Sequence, residues 1–167
     1  MSDLTAAAAA VETASAVVQA AARHLAANGG VDANQVVAYD LAHATSGVES
    51  ARAMLEYGPL GDTEAKLTCA FVADAVHDLA TKVLGREAAW GLDHGALRDA
   101  ADFVTAYRDP AFLASLAGEE GPRHLDQDFE LVRDTFKRFA EDQIRPHAEH
   151  VHRTNADVPE SIIAGLG

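Results

Sequence analysis

The spacing of apolar residues constrains this chain more than any other feature of its sequence. Val37, Leu41, Ala44, Val48, Ala51 and Leu55 follow one another at intervals alternating between four and three. A helical turn takes about 3.6 residues, so that alternation returns every one of these side chains to the same side of an α-helix. Cys69, Val72, Val76, Leu79 and Val83 repeat the pattern, with Leu67 and Phe71 read as widening it. A strand presents its faces with a period of two and cannot build such stripes. Two stripes of small and medium side chains must be buried against other helices. The expected fold class is therefore all-α, an antiparallel helical bundle.

Glycine and proline punctuate the periodic runs. Leu4 to Ala27 is alanine-rich and helical in pattern, and Asn28-Gly29-Gly30 is a strong stop. A second helix is expected from near Asp32, a suitable N-cap, to Tyr57, with Gly58 to Gly61 as a tight connection. Asp62 or Thr63 would cap the third helix, which Gly85 ends. Trp90 and Leu92 fall in a short segment expected to close one end of the bundle. A fourth helix is read from Ala96 to Tyr107, carrying Leu97, Ala101 and Val104. Residues 1–107 thus form a helical bundle extension. Residues 108–127, with Pro110, Gly118, Gly121 and Pro122, read as a linker holding one turn around Phe112 to Leu116.

From residue 128 the character changes. Phe129, Val132, Phe136 and Phe139 form a ridge of bulky side chains on a long amphipathic helix, read as ending near Pro146, with a further helix opened by Pro159. Rings exposed on an isolated helix are costly, so this ridge calls for a packing partner.

Composition narrows the function classes. The chain has 167 residues, enough for one domain with a proper core, and is 49% apolar but only 6% aromatic. Alanine supplies much of the remainder and buries little area per residue, which demands closely packed helices. A net charge of −13 without a basic stripe argues against nucleic acid and against an anionic membrane surface. No stretch reads as the roughly 18 to 20 apolar residues needed to span a bilayer. Met1-Ser2-Asp3-Leu4 lacks the basic start of a signal peptide, and the single cysteine, Cys69, cannot form an internal disulfide. A cytoplasmic location is expected.

The sequence offers few candidates for chemistry. Asp40 with His43, and Asp74 with His77, repeat an Asp-x-x-His spacing similar to the Glu-x-x-His of di-iron bundles. At about 100° per residue, Asp40 and His43 lie roughly 60° and 120° from their helix's apolar stripe, while Asp74 and His77 point away from theirs. Ligands must converge inside a bundle, so solvated polar faces are the favoured reading. His147, His150 and His152 form a second cluster, read as an exposed helix end rather than a zinc site. Cys69 lies on a buried stripe without a histidine three or four residues away, which suits an inert core thiol. No glycine-rich phosphate loop or nucleophile elbow is present. No catalytic, cofactor-binding or metal-ligating residue is assigned.

One resemblance goes further. Phe139-Ala140-Glu141 and Ile144-Arg145-Pro146-His147-Ala148, then Val158-Pro159 with Ile162, Leu166 and Gly167, resemble the opening helices of the N-terminal domain of acyl-CoA dehydrogenases. Tyr39-Asp40-Leu41-Ala42-His43, Leu55-Glu56-Tyr57-Gly58, Ala70-Phe71-Val72-Ala73-Asp74 and Gly85-Arg86-Glu87 resemble the extra bundle ahead of the core in some members, the methylsuccinyl-CoA dehydrogenase branch among them.

The resemblance implies α,β-dehydrogenation of an acyl-CoA thioester. In that family a glutamate removes the α-proton, FAD takes the β-hydride and an electron-transferring flavoprotein reoxidises the flavin. It also implies that residues 128–167 are the incomplete start of such a domain, that the flavin and catalytic domains would follow, and that these 167 residues alone are inactive. A homo-oligomer is expected. The competing expectation is a stand-alone helical bundle that mediates protein assembly without catalysis.

Overall fold

The computed structural model describes residues 3–166, and Met1, Ser2 and Gly167, quoted above, lie outside them. All regular structure among the described residues is helical. The chain divides into two compact units, up to Gly121 and from Pro122 onward.

Three long helices build the first unit: α1 (Leu4–Ala27), α3 (Gln35–Tyr57) and α4 (Asp62–Val83), with a one-turn α2 (Gly30–Ala33) between the first two. Each of the three packs on the other two. The connection from α3 to α4 is a single 3₁₀ turn, Gly58–Leu60, plus Gly61. Four residues reach at most about 14 Å, far less than the roughly 34 Å length of α3, so α4 must run back antiparallel to it. Side-chain bonds agree. Thr68 near the start of α4 donates to the Met54 carbonyl near the end of α3 at 3.0 Å, and Arg86 beyond α4 reaches Asp40 near the start of α3 at 2.7 Å. The turn has no room for a side chain at Gly58, where a Cβ would lie 2.7 Å from Leu4 Cδ2 and 3.0 Å from Thr68 Oγ1.

The core follows the stripes. Leu41, Ala44, Val48 and Ala51 are buried on α3, with Val37 and Leu55 half-buried at its ends. Cys69, Val72, Val76, Leu79 and Val83 are buried on α4, facing Ala7, Ala10, Val11, Ala14, Val17, Val18 and Ala21 of α1 in one continuous cluster. Trp90, on the one-turn α5 (Glu87–Trp90), is wholly buried in the same cluster, with Ala100 and Phe103 beside it.

Several expectations need correction. Leu67 and Phe71 do not widen the α4 stripe but are exposed, because they lie roughly 150° and 110° around the helix from its centre. Thr68, Ala70 and Ala73 are buried instead. Asp32 does not cap the second long helix. It sits inside α2, and Asn34 precedes α3, its side-chain amide donating to the carbonyls of Asn28 and Gly30 at 2.9 Å. Asp62 is the first residue of α4 rather than its cap, and places a carboxylate in the first turn, where the helix dipole favours it. The fourth helix is shorter than expected: a 3₁₀ turn at Arg98–Ala100 leads into α6 (Ala101–Tyr107). The one turn expected around Phe112 to Leu116 is present as α7 (Pro110–Ser115), capped by Asp109, whose carboxylate accepts from the backbone of Ala111 and Phe112.

A further correction concerns membranes. By length and composition α1 does qualify to cross one, although the sequence was read as holding no such stretch. Its alanines raise apolar content without bulk, and its buried side, Ala7 through Leu25, packs into the bundle.

The second unit holds α8 (Gln127–Phe139), a π-helical turn at Ala140–Ile144, α9 (Arg145–Thr154) and α10 (Glu160–Ala164). The helix does not end near Pro146. Proline lacks an N–H and its ring clashes with the carbonyl four residues back, and the wider π turn relieves both demands, so helix resumes at once. Asn155, in the left-handed region with φ of 50°, ends α9, and Pro159 precedes α10 as expected. Phe129, Val132 and Phe136 are exposed. Phe139 is half-covered, its ring so close to Gly165 that a Cβ there would lie 2.8 Å from Cε2.

Removing bulk from the interlock is expected to be expensive. Leu79→Ala should cost about 2–5 kcal/mol, whereas Phe71→Ala should stay within about 1 kcal/mol, as read by chemical denaturation followed by circular dichroism. Equal losses for the two would contradict the burial pattern.

Candidate functional site

The two Asp-x-x-His pairs are occupied by structural work. Asp40 accepts from Arg86 Nη2, and the Arg86 Nε donates to the Lys82 carbonyl at 2.9 Å, so one guanidinium ties the last turn of α4 to the first turns of α3. His43 is exposed and stacks on Tyr39 with ring centroids 4.5 Å apart. Asp74 is paired with Arg108, and His77 is half-buried on the same helix. The four residues are not brought together. His147, His150 and His152 are all exposed on α9. Among the described residues no group of three or more His, Cys, Asp or Glu side chains is placed to hold a metal ion.

Cys69 is fully buried at the heart of the bundle. Burial pushes its thiol above the ordinary cysteine value, and a hydrogen bond with Tyr107 offsets this only in part. The Tyr107 hydroxyl accepts from the Asp3 backbone N–H at 2.7 Å, and burial raises that phenol as well. Asp3 in turn caps α1 by accepting from Ala6 at 2.9 Å. Thiol, phenol and helix start therefore form a small polar chain running from buried Cys69 through half-buried Tyr107 to the exposed start of α1. Its raised thiol favours the protonated, unreactive form.

Two concavities flank α5. One, of about 510 Å³, is an open groove lined by Gly85 to Ala89, Leu92, Asp93 and His94. Glu87 there is held below the usual carboxylate range, first by its own backbone N–H, then by Gly85 N–H and by His94, whose Nδ1 lies 3.2 Å away. The sequence reading missed this pair, since seven residues separate its members and only the turn at Gly91, with φ of 66°, brings them together. No nucleophile adjoins it. The second concavity, about 240 Å³, is lined chiefly by Ala80, Val83, Leu84, Ala96, Leu97 and Ala101. A wall of that kind shelters an apolar group, with Glu87, Asp93 and Arg98 at its rim and no Ser, Thr or Cys nucleophile among its lining residues.

Cys69 yields a clear expectation. In the native protein it should resist a disulfide reagent at mildly alkaline pH and react only at the rate of unfolding. A thiol raised by folding contributes stability that is fully present below its unfolded value and is lost as pH climbs past it. Stability should thus decline above the ordinary thiol range, and less steeply in Cys69→Ala, as followed by thermal melts over alkaline pH. Rapid stoichiometric labelling of the folded protein would contradict the buried placement.

Comparison with known proteins gives one partial relationship. No family model matches the chain, and no solved structure does. Over 46 residues the chain is 37% identical to (2S)-methylsuccinyl-CoA dehydrogenase of Cereibacter sphaeroides, a span of 28% of this chain and 8% of that protein. Part of the chain is therefore similar to part of an acyl-CoA dehydrogenase.

Proposed function

We propose that this chain is the N-terminal portion of a flavin-dependent acyl-CoA dehydrogenase, acting in its full form on an acyl-CoA thioester such as methylsuccinyl-CoA. On this reading the first unit is a helical extension, and the second is the opening of the catalytic protein's N-terminal helical domain. The observation that carries the reading is the exposed ridge of Phe129, Val132 and Phe136, on a helix whose following residues resemble that family's opening helices. Covering each such side chain would contribute about 1.5–3 kcal/mol, so a helix keeping three of them in water is suited to further polypeptide. The partial identity to a dehydrogenase supports the same assignment. An electron-transferring flavoprotein and a homo-oligomeric, cytoplasmic assembly belong to the proposal.

The described residues do not themselves fit a flavin. A dinucleotide needs a row of N–H donors or basic side chains for its pyrophosphate, commonly at a helix N-terminus after a glycine-rich turn. The groove beside α5 presents Glu87 and Asp93 instead, and the apolar concavity is rimmed by Glu87, Asp93 and Arg98. The chain's own contribution would be scaffolding, with dehydrogenation performed by domains that follow.

A second reading rests on the first unit. Its core is closed by Trp90 and Phe103, and it has the makings of an independent bundle that mediates assembly. The two readings part on a simple comparison. The 167-residue protein should be helical, without a visible flavin band, and inactive toward acyl-CoA, while a product of the reading frame continued past Gly167 should bind flavin and oxidise acyl-CoA. Stoichiometric flavin in the short chain, or a longer product with none, would overturn the dehydrogenase reading. A stop codon directly after Gly167 would favour the assembly module.

A further inference from the structure

The stretch after α6 is tied along α4 at successive points. Arg108 pairs with Asp74 in the middle of α4. Phe112 on α7 meets the Tyr107 ring edge-on, with centroids 5.1 Å apart at 82°. Gly118, with φ of 83°, turns the chain, and the Glu119 carboxylate then receives both Lys66 Nζ at 2.5 Å and Thr63 Oγ1 at 2.9 Å in the first turns of α4. From Asp74 to Thr63 these attachments descend about 16 Å of helix. Lys66 and then Thr63 hold the Glu119 carboxyl below the usual carboxylate range, as expected for a carboxylate with two donors. Gly121 lies so close to α4 that a Cβ would sit 2.8 Å from Glu64 Oε1 and 3.5 Å from Thr63 Cγ2.

A second anchor follows almost at once. Arg123, the second residue of the other unit, grips Glu130 on α8 with two bonds, Nε to Oε1 at 3.0 Å and Nη2 to Oε2 at 3.2 Å. Paired, fork-shaped contacts of this kind fix geometry as well as adding attraction. Only residues 120–122 lie between the Glu119 anchor and the Arg123 anchor.

We infer that residues 108–119 form a strap latched to α4 by Lys66, Thr63 and Glu119, and that this latch confines the articulation between the two units to residues 120–122. The consequence is one of reach. Four residue steps between the anchors span at most about 14 Å, whereas a strap released back to Arg108 with α7 intact would offer fifteen, or about 40 Å. The latch therefore switches the second unit between a short and a long leash. Both partners of the ion pair are about one-third exposed, so each attachment is weak alone and the strap opens reversibly rather than with the core. The inference holds under either functional reading, since it concerns only the connection.

Hydrogen exchange on the intact chain tests it. The amides of Leu116, Ala117 and Glu119 donate to carbonyls three residues back and should be protected, while the amide of Glu120 exchanges freely. Glu119→Ala should speed exchange over 113–119 by about five-fold or more and leave α4 around Val72 unchanged. Lys66→Glu should do the same, and the swap Lys66→Glu with Glu119→Lys should restore protection. Spin labels at Ser50→Cys and Ala156→Cys, both exposed positions, should give a broader distance distribution once Glu119 is removed. Free exchange over 113–119 in the unaltered protein would overturn the inference. So would an unchanged rate in Glu119→Ala, a swap that fails to rescue, or an unchanged distance distribution.

Discussion

Everything in the first unit depends on how near α1, α3 and α4 approach one another. Their facing side chains are mostly alanine and valine, with Leu41 and Leu79 as the larger members. An alanine contributes little area, so the interface is favourable only if the helix axes come close enough for the smaller residues of one helix to seat those of the next. That closeness explains several details at once. Gly58 must be glycine, Thr68 must find an acceptor on α3 because it is buried there, and Cys69 fits as a small apolar side chain. Bulk enters at Trp90, which fills what the small residues leave open. Among the described residues its Nε1 has no hydrogen-bond partner, a desolvation cost of about 1–3 kcal/mol. Burying roughly 200 Å² of indole contributes about 5 kcal/mol, so the ring is retained despite its orphan donor.

How much of this was legible in the sequence depended on whether the cause was periodic. The stripes on α3 and α4 were readable because burial and spacing are the same fact seen twice, and Leu41, Ala44, Val48 and Ala51 lie where the intervals put them. Leu67 and Phe71 misled because they are large and apolar, yet position around the helix, not hydrophobicity, decides which side chain meets a neighbour. Pro146 misled for a different reason. Proline normally breaks a helix, but one wide turn at Ala140–Ile144 absorbs the missing donor, and nothing in the local sequence announces that accommodation. The strap was hidden as well. Pro110, Gly118 and Gly121 read as slack chain, while what holds them down is Lys66, Thr63 and Asp74, more than thirty residues earlier. The Glu87–His94 pair was invisible for the same reason, since a turn rather than a motif creates it.

The candidate metal residues illustrate why spacing alone is a poor guide to chemistry. Asp40 and Asp74 carry the spacing of a ligand pair, but each is neutralised by an arginine from a different element. A carboxylate already bonded to a guanidinium must lose that partner before it can serve a cation, and with 26 acidic against 13 basic residues such partners are outnumbered two to one. The chain spends them at joints: Arg86 between α4 and α3, Arg52 between α3 and Glu12 of α1, Arg108 at the start of the strap and Arg123 at the start of the second unit. The charged residues of this protein organise connections rather than reactions.

That distribution separates the two units by completeness. In the first, apolar area is spent inward and the charges clasp one helix to the next, so nothing in its core asks for a further surface. In the second, Ile162 is buried and Phe139 is half-covered by the chain around Gly165, yet Phe129, Val132 and Phe136 keep their rings and methyls in water beside Leu131, also exposed. Charge cannot make that face stable: the ion pairs of Arg133, Arg145 and Arg153 join residues three or four apart and are partly or fully open to solvent, where each contributes at most a few tenths of a kcal/mol. Helix propensity does not suffice either, since short helices in water are marginal without a packed face. The second unit is thus a set of helices whose apolar ridge its own packing leaves uncovered, and a protein that keeps such a surface has a use for what covers it.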